Sequence, residues 1–216
     1  MGDSSTWTAI GTVAVAIAAI VNVLVFAVIL PWYTRARFEI SFEKEKPFCR
    51  RTETESFSDS SQKVPDYWVR LRVKNIGRSA AQNCIAKVII VYDFNGQTLL
   101  NTDPMQLHWV STSWGEVPFR VIGLARLDFE YLDLLMYQRG EDRFYVTGDQ
   151  FPWAIYEKRG IVYWLGPGAY ILQVTVYGDK VKPKATYVAF GFNVVDPEDS
   201  LISIHTSLEK AKSALA

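Results

Sequence analysis

Histidine and cysteine are scarce here: the 216 residues contain two of each, His108, His205, Cys49 and Cys84. A histidine-based triad or a three-histidine metal site therefore has little material. No CxxC pair, Walker-type loop or Gly-x-Ser-x-Gly turn occurs, which removes the sequence signals for zinc ribbons, nucleotide cradles and nucleophile elbows. Asp93-x-Asn95-Gly96 begins like a calcium loop, but the remaining carboxylates and the terminal Glu are missing. An excess of either charge is also lacking, since 23 Lys and Arg balance 23 Asp and Glu, so no broad field favours nucleic acid. The expectation is a non-catalytic protein without metal, cofactor or nucleic-acid partner.

What the chain does have is a run of 23 uncharged residues from Thr8 to Leu30. At a rise of ~1.5 Å per residue it can cross a hydrocarbon core of ~30 Å. Trp7 on one side and Trp32 and Tyr33 on the other stand where interfacial aromatics are expected. Residues 8–33 thus read as a transmembrane helix after a short N-terminal stretch, 1–7. Residues 1–6 carry no Lys or Arg, whereas Arg35, Arg37, Lys44, Lys46, Arg50 and Arg51 follow the run. Flanking cations are retained on the cytoplasmic side, which puts the N-terminus outside and everything after residue 33 inside. A cleaved signal peptide needs a basic start, a shorter apolar core and small residues at the cut, and Pro31-Trp32-Tyr33 does not supply them. Cys49 in an Arg-rich connection and Cys84 read as two reduced thiols, in keeping with a cytosolic domain.

The remainder alternates with the period of β-structure. Phe38, Ile40 and Phe42 alternate with Glu39, Ser41 and Glu43, and Tyr67, Val69, Leu71 and Val73 with Trp68, Arg70, Arg72 and Lys74. Asn75 and Gly77 supply turn chemistry through tolerance of positive φ. A strand over 80–93 then meets Asn95-Gly96, the signal for a hairpin whose two turn residues are left-handed. Residues 52–63 are polar and Ser-rich and read as a loop, as do residues 138–151. The stretch Leu127 to Met136 reads as a strand, with Asp128, Glu130 and Asp133 on a solvated face. His108 reads as a structural polar group. Residues 160–164, 168–177 and 186–195 are β-rich and separated by turns. Seven or more closely spaced strands predict an all-β, two-sheet sandwich over 38–197. Leu201, Ile204, Leu208, Ala211 and Leu215 recur at helical spacing, so the tail 198–216 is expected to be a short helix. Aromatics form 14 % of the chain, which suits a large core of this kind.

Leu71-Arg-Val73-Lys-Asn75-Ile-Gly77-Arg-Ser-Ala80-Ala81-Gln-Asn83-Cys84 and its following apolar strand resemble the hairpin of CARDB-like and related immunoglobulin-like domains of bacteria and archaea. Leu165-Gly-Pro-Gly168-Ala-Tyr170-Ile-Leu172 is similar to the Pro-Gly-x-Tyr turn that opens a late strand in those folds. The resemblance implies a membrane-anchored immunoglobulin-like sandwich, a tyrosine corner at Tyr170, and a binding or spacing role. It covers about a third of the soluble part and encodes turns, not an active site.

Two functional expectations follow. One is a tethered interaction, accessory or scaffold module with a cytoplasmic sandwich, whose partners are the bilayer, a membrane or identical subunit, and an unknown protein. The alternative is an extracytoplasmic pilin-like or surface-layer protein with its apolar helix buried in a filament, although Met1 to Thr6 lacks the basic processing site of that class. Ala14, Ala18 and Asn22 recur every four residues on one helical face and are candidates for lateral helix association.

Overall fold

The computed structural model describes residues 4–56, 61–100, 104–112, 120–149, 164–193, 196 and 199–216; for residues 4–9, 54–55 and 100 only the backbone is described. Helix α1 (Ser4–Leu24) continues through a single π-helical stretch (Val25–Ile29) into α2 (Leu30–Tyr33). The 24 residues Ile10–Tyr33 are long and apolar enough to span a membrane. The wide turn has a local cause: a Pro ring collides with the carbonyl four residues back, and opening the coil makes room for Pro31 above Ala27. Thr34 closes the helix by donating from both its backbone nitrogen and its Oγ1 to the Leu30 carbonyl, at 2.9 and 2.8 Å.

The rest is an all-β sandwich of two antiparallel sheets with a short C-terminal helix. The first sheet places β1 (Phe38–Ser41), β3 (Lys63–Asn75), β9 (Phe129–Gln138), β10 (Phe144–Val146) and β11 (Trp164–Leu165) side by side. Two further strands join it, β2 (Cys49–Glu55) on β3 and β7 (His108–Trp109) on β9. The second sheet runs β14 (Leu201–His205), β13 (Ala185–Gly191), β12 (Ala169–Tyr177), β4 (Ala81–Asp93) and β5 (Thr98–Leu100). There β6 (Met105–Gln106) and β8 (Ile122–Leu124) also pair with β4. One ribbon, Met105 to Trp109, belongs to the second sheet through β6 and to the first through β7, and so closes a corner of the sandwich.

Alternation decides what fills the gap between sheets. Val69, Leu71, Val73 and Leu132 from one side meet Val88, Val91, Leu172, Val174 and Val188 from the other, all buried. The aromatic content is used here: Phe144 meets Phe190 and Phe192 edge-on, with ring centroids 4.9 and 5.0 Å apart, an arrangement favoured by the ring quadrupoles. Trp109 is fully buried, and its indole N–H donates to the Cys84 carbonyl at 3.2 Å.

Several local expectations are corrected. Residues 52–55 are not loop but the end of β2, paired with β3; a polar strand is stable at an edge because only its backbone must be paired. Residues 138–151 contain β10, whose Phe144, Tyr145 and Val146 are buried. The Asn95-Gly96 turn needs one left-handed residue, not two: Gly96 has φ 80° and Asn95 does not have positive φ. The Gly96 N–H donates to the Asp93 carbonyl at 2.9 Å and the Asp93 N–H to the Gln97 carbonyl at 2.9 Å, which is a type I turn with a bulge. Leu201 and Ile204 belong to strand β14, so the helix, α3 (Leu208–Leu215), starts later than the tail's spacing suggested. Ser207 caps α3 by accepting from the Lys210 N–H at 3.4 Å. Buried Ala211, with Leu208 and Leu215, packs α3 on Ile171 and Ala189, covering the outer face of the second sheet.

Cys49 and Cys84 lie in different sheets and no disulfide joins them. Burial pushes the Cys84 thiol up to about 11. Because the folded state holds this proton more tightly than the unfolded chain, the associated stability is present below pH 9 and lost as pH rises through about 11. Alkylation of native protein at pH 8 should therefore label Cys49 alone, with Cys84 modified only in denaturant; mass spectrometry of the modified peptides checks this.

Candidate functional site

Two places concentrate polar groups, and the first is where helix meets sandwich. Between Tyr33 and β1 there is no slack: Ala36 is 1 % exposed and forms a bridge with Val181. On its other side the Ile76 N–H donates to the Arg37 carbonyl at 2.8 Å and the Arg78 N–H to the Arg35 carbonyl at 3.2 Å. The segment 35–37 is thus built into the domain by its backbone.

Asn75 and Gly77 make that possible, for reasons other than positive φ, which neither adopts. Fully buried Asn75 donates through Nδ2 to the carbonyls of Ser79 and Leu124 at 2.8 and 3.1 Å, and its Oδ1 accepts from the N–H groups of Gly77 and Arg37 at 3.0 and 3.3 Å. One amide side chain therefore uses its whole hydrogen-bonding capacity to tie the turn to the linker. A Cβ at Gly77 would sit 2.6 Å from both the Ala36 Cα and the Arg35 oxygen, closer than real Cβ atoms come. The Arg78 guanidinium lies 3.6 Å from the centroid of the Tyr33 ring, a cation–π contact across the same seam.

The second place is the outer face of the first sheet. A bulge in β9 pairs Val69 with Leu135 but Arg70 with Asp133, leaving Leu134 extra. Leu134 and Leu135 both enter the core, while Asp133 and Met136 turn outward. Asp133 is nonetheless 1 % exposed, which overturns the expected solvated position for this residue, whereas Asp128 is exposed and Glu130 half-buried. Its Oδ1 accepts from Arg70 Nε at 2.7 Å and its Oδ2 pairs with His108 Nδ1 at 3.0 Å. Beside it Trp68 Nε1 donates to Asp66 Oδ2 at 2.8 Å, and Thr52 bonds the same carboxylate through its N–H, at 3.1 Å, and its hydroxyl. Tyr145, packed on Trp68 and Met136, has its phenol raised by burial and then by Glu141. A depression of about 220 Å³ opens here, lined by Arg50, Thr52, Trp68, Arg70, His108, Val110 and Asp133.

Carboxylate, imidazole and hydroxyl stand in line in this cluster, because Thr112 Oγ1 is 3.1 Å from His108 Nε2. The hydroxyl proton is directed elsewhere, to the Trp109 carbonyl at 2.7 Å. Thr112 Oγ1 thus stands between the His108 ring and the Trp109 carbonyl. The arrangement neutralises and orients buried charge.

The residues singled out from sequence separate into groups. Trp32, Tyr33, Arg35, Arg37, Asn75 and Gly77 converge at the junction. Ala14, Ala18 and Asn22 lie exposed along α1, and the side chain of Trp7 is outside the described ones. Asn95 and Gly96 form the β4–β5 turn under Lys212 of α3. Gly168 has φ 152° with the Tyr170 ring above it. Sequence reasoning missed the Arg70, Asp133 and His108 cluster, since only the bulge brings Asp133 opposite Arg70. No family model, curated protein or solved structure matches the chain.

Asp133→Ala should cost about 3–5 kcal/mol in denaturant titration, because it strands the buried guanidinium of Arg70 and removes the carboxylate from His108 Nδ1; Arg70→Met, Asp133→Leu and His108→Leu together should recover most of that loss. Gly77→Ala should cost about 1–3 kcal/mol through overpacking and speed tryptic cleavage after Arg35 and Arg37.

Proposed function

We propose that this is a membrane-tethered, non-catalytic interaction or accessory module whose immunoglobulin-like sandwich lies in the cytoplasm against the inner leaflet. The observation that carries the reading is the burial of Ala36, three residues past the end of α2. A flexible linker would let a domain search the cytosol, whereas a linker paired on both sides holds it to the bilayer. Its partner is accordingly a protein at or in the membrane.

The two outer faces differ in a way that supports one docking side. Helix α3 covers the second sheet with apolar contacts. The first sheet instead presents the depression over Trp68 and the Arg70, Asp133 and His108 cluster, with exposed Arg50 at its rim. Ordered buried charge beneath a shallow depression, with exposed Arg50 beside it, suits recognition through directed hydrogen bonds. Helix association through Ala14, Ala18 and Asn22 is part of the same proposal. The cations beyond α2 and their absence from residues 1–6 support the inward placement.

Topology is read with an Arg126→Cys variant at an exposed turn. A membrane-impermeant maleimide should label it only after cells are permeabilised. Labelling on intact cells would place the domain outside and end this proposal in favour of an extracytoplasmic one.

A further inference from the structure

The junction carries a feature unused by anything above: a cleft of about 540 Å³ lined by Trp32, Arg35, Arg37, Phe38, Ile40, Ile76, Val176, Lys182 and Lys184 among others. A second hollow of about 660 Å³ adjoins it, sharing Arg35 and Lys182 and adding Leu30, Pro31, Thr34 and Lys180. Five cations therefore line these two adjoining recesses, and neither lining contains an acid. Arg35, Arg37, Lys180, Lys182 and Lys184 are all exposed, and none forms an ion pair with a described residue. Asp179, the acid of the lysine-bearing loop, is turned away and accepts from Asn83 Nδ2 at 2.8 Å.

Uncompensated charge of one sign is costly to gather, because like charges repel in the folded state. The fold gathers it all the same: residues 35–37 and 180–184 are distant in sequence, and the Ala36–Val181 bridge holds them together. The recess also has an apolar floor, from Ile40, Ile76 and Val176, and opens beside Leu30, Pro31 and Trp32 at the end of the apolar helix. Exposed Trp32 and Tyr33 mark headgroup level in a bilayer. A phosphate, a short polar headgroup and acyl chains running back along the helix match these features in order.

We infer that the recess is a binding site for the headgroup of an anionic phospholipid. Lys180, Lys182, Lys184, Arg35 and Arg37 contact the phosphate and any further headgroup charge, while Trp32 and Leu30 line the path of the acyl chains. The inference rests on the anchoring part of the proposed function and not on the identity of any protein partner. Its consequence is regulatory geometry: lipid at this seam would fix how the sandwich stands on the membrane, since the same cations belong to both linker and domain.

The test uses the full chain in nanodiscs of phosphatidylcholine containing a minority of phosphatidylglycerol, with retained lipid identified by native mass spectrometry. Phosphatidylglycerol should be enriched on the protein relative to the disc. Lys182→Gln, Lys184→Gln and Arg35→Gln should each lower the enrichment about fivefold, the worth of one basic residue at an anionic surface, while Lys63→Gln, on the exposed start of β3, should not. These side chains are exposed, so unchanged melting of each variant is expected and is measured alongside. Insertion without enrichment, or equal loss in Lys63→Gln, overturns the lipid site alone. Displacement of the lipid by millimolar inorganic phosphate overturns the lipid as ligand in favour of a free anion. Failure to insert overturns the anchoring and this inference together.

Discussion

An apolar helix long enough to span a membrane and a two-sheet sandwich meet here within a few residues, and their junction governs the rest of the structure. The constraint is met by backbone pairing. Residues 35–37 lie between the Asn75–Arg78 turn and Val181, with the Asn75 side chain donating to the Ser79 and Leu124 carbonyls and accepting from the Gly77 and Arg37 N–H groups. A buried amide satisfied on all sides stabilises, whereas one left partly unpaired costs about 1–3 kcal/mol. This seam also places the lysine loop beside the arginines, so the electrostatics of the helix-proximal end of the sandwich follow from a packing requirement.

The sandwich solves the problem of its two outer faces differently. One is closed by an amphipathic helix laid across the second sheet through Ala211, Leu208 and Leu215. The other keeps charge, and isolated buried charge is expensive; Arg70, Asp133 and His108 remain tolerable because each supplies what the next one lacks. The β9 bulge is the device that allows this. It sends two adjacent leucines into the core and returns Asp133 to the outer face in register with Arg70.

How much could be read in advance depends on whether the relevant physics is local. Strand β3 was legible from period-two alternation and β4, β12 and β13 from apolar or β-rich runs bounded by turns, whereas the burial of Trp68 and Arg70 on the outer face of β3 was not. The apolar helix was legible from length alone. Polar β2 was not, since its pairing with β3 leaves no pattern in side chains such as Thr52 and Glu53. The tail misled because Leu201 and Ile204 happen to be three apart, a spacing common to a helix and to a short edge strand. Asn95-Gly96 located its turn correctly, while the turn type depended on how the flanking strands were registered.

By itself the sequence determined that there is one apolar helix of membrane-spanning length, that the rest is antiparallel β-structure with an aromatic core, and where most chain reversals fall. These depend on hydropathy and backbone preference over a few neighbouring residues. Tertiary structure alone decided which charges are buried, which cations share a recess, and why Gly77 and Asn75 stand where they do. Such facts come from approaches between segments tens of residues apart, set by strand order and by the β9 bulge. No local pattern encodes them, because a charged side chain looks the same in sequence whether it faces water, a counter-ion or a lipid.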